Sequence, residues 1–277
     1  MRFLITLSLL SLFFDVAYAV DSKVDEVVSK HLDSIGTPEA RAAVKTRVIQ
    51  GALHFKDLEG RFGDQVGYWG YVSEPHKSNL VLKFGGGEWR GERFVFDGEK
   101  TDFAVFTASR RPSTFGNFVH WQDFILKDGL LGGELSAAWI LENGDFDRSR
   151  LEYAGTKKID SQKLEALEYH PKGKDLKIMM YFDPESHHHV MTTYSLVREP
   201  GVGFGPMDSA NQRQIRYTIE ERFSDFQDDN QITLPRHYDL RYTQEPQSGH
   251  THLYEWDMTA DKVLNNVELD PGNFKIK

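Results

Sequence analysis

Alternation by twos dominates this chain. Ile215, Tyr217, Ile219 and Phe223 fall on one face of a run, and Arg216, Thr218, Glu220 and Arg222 fall on the other. Period two marks a strand with one buried and one wet face. Residues 227–231, Gln-Asp-Asp-Asn-Gln, supply turn formers. A second arm then carries Tyr238, Leu240 and Tyr242 opposite Asp239, Arg241 and Thr243. Two such arms around a polar turn predict an antiparallel hairpin. The same grammar predicts strands over 46–56, 68–73, 80–84, 93–96 and 103–106, the last two flanking the tight-turn pair Asp97-Gly98. It resumes over 151–159, 163–169, 176–182, 190–197 and 253–263. The reading is about eleven strands in meander order.

Helical spacing interrupts the alternation twice. Val24, Val27, Val28, His31, Leu32 and Ile35 predict an amphipathic helix over 21–34, stopped by Gly36. Thr37-Pro38-Glu39 restarts a helix with a cap, a first-turn proline and an acid at the positive end of the dipole. In mid-chain, Phe115, Phe118, Val119, Gln122 and Ile125, with Trp121 and Phe124 beside them, predict a helix with a broad apolar face. Leu130-Leu131-Gly132-Gly133 breaks it, and 134–141 is expected to form a second short helix. Helices between strands are expected to cap or plug the sheet. Ile178 to Phe182 is apolar on both faces, so its second face is expected to meet helices or a ligand. Residues 199–212 carry no period and predict a long loop. Neither a repeat nor a linker divides residues 20–277, which predicts a single domain. Many antiparallel strands with one aromatic face twist and tend to close. The expected fold is therefore α+β and mainly antiparallel β: a curved sheet or incomplete β-barrel with covering helices.

Composition narrows the setting. Met1-Arg2, an apolar run over 3–14 and Ala17-Tyr18-Ala19 predict a cleavable signal peptide, residues 1–19, although Asp15 is unusual there. An apolar run of that length is shorter than the ~20 residues of a membrane-spanning helix. There is no cysteine, so disulfides and attachment of lipid to cysteine are excluded, and stability must come from the core alone. A net charge of −9 without a basic patch argues against nucleic acid. The expected location is the periplasm.

Candidate chemistry is sparse. Trp69, Tyr71, Phe94, Phe96, Trp121, Phe124 and Trp139 are candidates to line a cavity, and a filled core would use the same residues. Burying one ligand methylene is worth ~0.8 kcal/mol, so a sixteen-carbon chain gains on the order of 10 kcal/mol before ordering costs. His187 and His189 would share a face if both lay on a strand, as would His250 and His252, but no acidic partner is fixed by the sequence. Glu221 falls on the apolar face of its strand. It is either a buried carboxyl with a raised pKa, or a residue at a bulge or paired with an arginine. Gly85-Gly86-Gly87 lacks a following Lys-Ser/Thr, and Gly201-Val202-Gly203-Phe204-Gly205 lacks the context of a dinucleotide fingerprint. No catalytic residue, metal ligand set or cofactor is assigned.

A helix-Gly-helix before a first strand (32–55), Phe96-Asp97-Gly98, the YFDPES turn (181–186), the FSDF…ITLP hairpin (223–235) and the terminal LDPGNF (269–274) occur in this order. Together they resemble the LolA-like superfamily of periplasmic lipoprotein carriers, lipoprotein-sorting proteins and lipid-sensing regulators. The region 113–141 departs from the short carrier pattern. The resemblance implies an unclosed barrel with helical lids and a hydrophobic cavity for acyl chains. The expected function is a non-enzymatic periplasmic carrier of an apolar ligand, lipoprotein acyl chains or lipid. Two alternatives stand beside it: an envelope-stress sensor that binds lipoprotein and a membrane partner, and a metal-dependent enzyme built on the His187/His189 rim.

Overall fold

In the computed structural model one continuous antiparallel sheet carries the whole chain path. The described residues are 8–276 without 61, 88, 107–110, 200–213 and 246–249, with side chains from Ser22 onward. The predicted loop 199–212, with its glycines at 201, 203 and 205, lies outside them except for Glu199.

Helix α1, Ser8–Ile35, leads into α2, Pro38–Ala43, whose Thr37 cap accepts a hydrogen bond from Ala40 N as the spacing predicts. Strands β1 (Arg47–Asp57), β2 (Asp64–Glu74), β3 (Lys77–Phe84), β4 (Gly91–Phe96) and β5 (Thr101–Val105) follow as a meander. Helices α3 (Thr114–Trp121) and α4 (Phe124–Lys127) and 3-10 turns at Gly133–Leu135 and Ile140–Glu142 fill the middle of the chain. The short helix expected over 134–141 resolves into those two turns. A second meander is built from β6 (Leu151–Ile159), β7 (Gln162–Tyr169), β8 (Lys177–Phe182) and β9 (His189–Arg198). It continues through β10 (Ile215–Asp229), β11 (Ile232–Glu245) and β12 (His252–Asn265).

The twelve strands are ordered β5-β4-β3-β2-β1-β12-β11-β10-β9-β8-β7-β6. The first and last strands therefore pair at the centre, and β5 and β6 are free edges. This topology positions everything else. The chain leaving β5 must reach β6 at the opposite edge, so residues 111–150 cross one face of the sheet. They cross the aromatic one.

The sheet is curved. Tyr71 on β2 and Tyr194 on β9 donate to the successive carbonyls of Leu131 and Leu130, at 2.9 and 3.0 Å. Five strand spacings separate β2 from β9, roughly 24 Å in a flat sheet whose side chains stand perpendicular to it. Their hydroxyls converge only because the inner face is concave. Trp69 on β2 and Tyr238 on β11 likewise bring their rings to 6.0 Å. The open, curved sheet with covering helices expected from the sequence is the architecture observed.

Inside the curve, Val24, Val28, Leu32 and Ile35 of α1 and Phe115, Phe118, Ile125, Leu126, Leu130 and Leu131 of the crossing segment pack against the strands. The second apolar face of β8 meets strand residues among the described ones. Met179 and Tyr181 form an outer cluster with Leu164, Ala166 and Met191, against which Ile159 packs. The β6–β7 hairpin curls over this cluster, and Asp160 in its turn meets Arg222 of β10 at 2.7 Å. Strong twist lets an edge hairpin cover its own sheet. The β10–β11 turn is also tighter than expected. Pairing continues to Asp229↔Ile232, leaving Asn230 and Gln231 alone at φ 55° and 72°, the geometry of a two-residue hairpin loop.

Trp256 of β12 is buried, with its ring 4.8 Å from Phe115 and 5.2 Å from Phe55. Trp256→Ala is expected to cost about 3–5 kcal/mol of unfolding free energy in chemical denaturation. Trp121→Ala, at a ring that is 42% exposed, is expected to cost on the order of 1 kcal/mol.

Candidate functional site

The crossing segment is pinned to the concave face by polar side chains that rise from the strands through an otherwise apolar wall. Glu221 of β10 is the centre. It is fully buried, its register is unbroken, and its hydrogen-bond partners among the described residues include no arginine. Its Oε1 accepts from Gly132 N at 2.7 Å and from the Tyr238 hydroxyl at 2.6 Å. Its Oε2 lies 2.6 Å from the Tyr194 hydroxyl. Gly132 is needed there twice over. Its φ is +84°, and a Cβ would stand 2.6 Å from Cε2 of Tyr71.

Tyr194 has one hydroxyl proton and two close acceptors, Leu130 O and Glu221 Oε2, so it donates to one of them at a time. Burial pushes the Glu221 carboxyl up to about 7, with the three donors Tyr194, Tyr238 and Gly132 N–H opposing. Burial first, and Glu221 second, raises both Tyr194 and Tyr238 well above the ordinary tyrosine range.

Further contacts hold the segment on either side. At its start, buried Glu92 of β4 accepts from the Ser113 backbone N–H and, at 2.8 Å, from its hydroxyl, while the same hydroxyl caps α3 through Gly116 N. Burial pushes Glu92 up to about 7 as well. Tyr242 of β11 donates to Thr114 O, and Ser73 of β2 accepts from Ala137 N. Arg47 of β1, only 1% exposed, donates to Glu134 O at 2.8 Å and to Asn265 Oδ1 at 3.1 Å.

A pair from α1 and the segment completes the set. His31 Nδ1 lies 3.0 Å from His187 O, and its Nε2 lies 3.4 Å from Glu134 Oε2, with both side chains fully buried. Burial lowers His31 well below the imidazole range and raises Glu134 well above the carboxyl range. Both shifts favour the neutral forms, and His187 O, a carbonyl, accepts from Nδ1–H. His189 stacks on Trp139 at 5.1 Å and meets Thr192 Oγ1 at 2.7 Å.

Of the seven aromatic candidates, Trp69, Tyr71, Phe94, Phe96, Phe124 and Trp139 are buried on the inner face, and Trp121 is exposed beneath the guanidinium of Arg198. Tyr71 is the one that joins the Glu221 centre. Cavities open elsewhere among the described residues. A cleft of about 1370 Å³ lies beside β4, β5 and the C-terminal segment, and a smaller one of about 260 Å³ lies on the outer face. The histidine rim does not form. His187 sits at φ 61° in the turn before β9, so it and His189 do not alternate along one strand. His188 stacks on Phe226 at 4.1 Å, and His189 enters the core. His250 and His252 are likewise not paired on a strand, since β12 starts at His252.

Sequence reasoning singled out Glu221 but missed its tyrosines, and it missed Arg47, Glu92 and Glu134. The signal for two of them was present. Arg47 shares parity with Ile49, Leu53 and Phe55, and Glu92 with Phe94 and Phe96, so each is a charge on an apolar face.

Site and fold define an open antiparallel sheet whose concave face is closed by a polar-pinned helical segment. No known family's sequence pattern matches the chain, and no curated protein matches it. Among solved structures it is similar to a DUF1329 family protein from Desulfovibrio piger, at 12% identity and TM-score 0.48, covering 91% of this chain and 97% of that one. It is similar to a LolA superfamily protein from Nitrosomonas europaea at 11% identity and TM-score 0.47, with the same coverage. At these values nothing about ligand or activity passes from either protein to this one.

The folded protein holds the Glu221 proton to about pH 7, against 4.5 for an ordinary carboxyl. Stability from this group is therefore full below about pH 4.5 and is lost as pH rises through 7, by roughly 3 kcal/mol. Glu221→Gln keeps the bonding pattern of the acid without a titrating group. It is expected to match the wild type near pH 4.5 and to be the more stable protein at pH 8. Thermal unfolding of both proteins across that range checks this, and parallel curves would refute the raised carboxyl.

Proposed function

We propose that this protein is an exported, non-enzymatic binding protein for an apolar ligand, lipoprotein acyl chains or lipid, held against the concave face of its sheet. One observation carries the reading. The aromatic inner wall is covered by a chain segment that the topology makes separate from the sheet and that is attached at discrete polar points. Withdrawing that segment would bare apolar surface that water cannot satisfy, and an acyl chain is the simplest replacement. Leu130 and Leu131, pinned through their carbonyls, stand where such a chain would lie. Trp69, Tyr71, Phe94 and Phe96 on the strands would line the space, while Phe124 and Trp139 sit on the covering segment and Trp121 on its exposed side.

The buried acids support binding rather than catalysis. Glu92 and Glu221 are engaged in holding the cover, and Ser113 is engaged by Glu92. Export to the periplasm rests on the N-terminal pattern, with cleavage after Ala19 leaving the C-terminal half of α1 as the first element. Among the described residues no helix is long and apolar enough to cross a membrane.

Native mass spectrometry of protein released from the envelope without detergent tests the proposal, followed by titration with a fluorescent sixteen-carbon fatty acid. Lipid-sized adducts and saturable probe binding are expected. An adduct-free spectrum with no probe uptake would defeat it. Stoichiometric recovery of one membrane protein without lipid would favour the sensor alternative.

A further inference from the structure

The outer face of the four central strands is laid out in cross-strand rows. One row runs Glu220, Arg241, Glu255, Lys56 across β10, β11, β12 and β1. Its charges alternate in sign, as directly opposed pairs should. The next row runs Arg222, Asp239, Asp257, His54 over the same strands. Here alternation fails, because Asp239 and Asp257 face each other directly. Arg222 is already engaged by Glu220 at 2.6 Å and Asp160 at 2.7 Å. Two histidines flank the opposed acids. His54 is the cross-strand neighbour of Asp257, and His237 lies two residues before Asp239 on the same face.

His237 Nε2 is 3.3 Å from Asp239 Oδ2 and 3.7 Å from Asp257 Oδ1, and one ligand atom from each of the three residues lies within 4.8 Å of the others. Four ligands placed about 2.1 Å from a tetrahedral zinc are about 3.4 Å apart. The two measured separations bracket that edge length. Both acids also border the small outer-face cavity, which leaves the point open to solvent.

We infer that His237, Asp239 and Asp257, with solvent completing the shell, form a binding site for a divalent transition metal of the zinc or cobalt class. Imidazole with carboxylate suits such ions, and the donors come from strands rather than loops, so the site is preorganised. It lies on the face opposite the proposed ligand space and does not depend on that proposal.

The test uses the full mature chain, stripped with chelator, titrated with zinc by calorimetry and with cobalt by visible absorption. One ion per chain is expected, with the intense cobalt bands of a four-coordinate site and a thermal midpoint that rises with zinc concentration. Asp257→Asn is expected to weaken zinc at least tenfold while its metal-free midpoint equals or exceeds wild type, because it removes the opposed charge. His250→Ala, a substitution in an exposed loop, is expected to bind as wild type. Absence of stoichiometric binding by the wild type, or unchanged affinity in both Asp239→Asn and Asp257→Asn, would overturn the assignment.

Discussion

A carboxyl group inside an aromatic wall has to be paired, and in this molecule the pairing holds the fold shut. Glu221 projects from β10 into a face lined by Trp69, Tyr238 and Trp256, where an unpaired acid would be costly. Its partners are two strand tyrosines and one backbone N–H of the segment that crosses the sheet. Apolar packing alone would press that segment onto the wall without fixing its register. The single N–H of Gly132, and the carbonyls of Leu130 and Leu131 held by Tyr194 and Tyr71, fix it to one residue. Burial supplies the driving force, and the polar points choose which arrangement receives it.

The crossing itself follows from the order of the strands. Because β1 and β12 meet at the centre, the two meanders grow outward and leave their free ends at opposite edges. The chain between them has no route except across a face. Hydrophobic matching selects the concave face, and curvature brings β2 and β9 close enough to hold the same dipeptide from both sides. Glu92 then fixes the start of the crossing through Ser113, and Arg47 fixes its far part through Glu134 O. Each anchor is a charge-bearing residue on an apolar strand face, and each was placed where the crossing chain offers unpaired backbone groups.

Most strands were legible because alternation over five or more residues admits few other readings. The helix caps at Thr37 and the turns at Asp97 and Asp183 were legible for a local reason: each side chain satisfies backbone N–H groups two or three residues onward. The centre of the site was only half legible. Glu221 stood out by parity, but Tyr194, Tyr238 and Gly132 lie 27, 17 and 89 residues from it along the chain. Nothing local announces that convergence, which depends on curvature. The histidine run misled for the opposite reason. Its spacing suggested a strand, but the YFDPES turn extends to His187 and places it in the left-handed region. The outer cluster of β8 was seen as a face needing cover, and the cover proved to be the twisted edge hairpin, a consequence of sheet geometry rather than of sequence nearby.

The pleat keeps two chemistries apart on the same four strands. Glu221, Tyr238 and Trp256 point inward, while their chain neighbours Glu220, Arg222, His237, Asp239 and Asp257 point outward. A one-residue slip in register would exchange the sets, putting carboxylates into the aromatic wall and aromatics into water. The outer charge rows and the inner polar centre therefore each oppose the same error from opposite sides of the sheet. Register of β10, β11 and β12 is overdetermined, and that permits the inner face to hold acids at all. Without a fixed wall, the hydroxyls of Tyr194 and Tyr238 would have no defined carboxyl oxygens to meet.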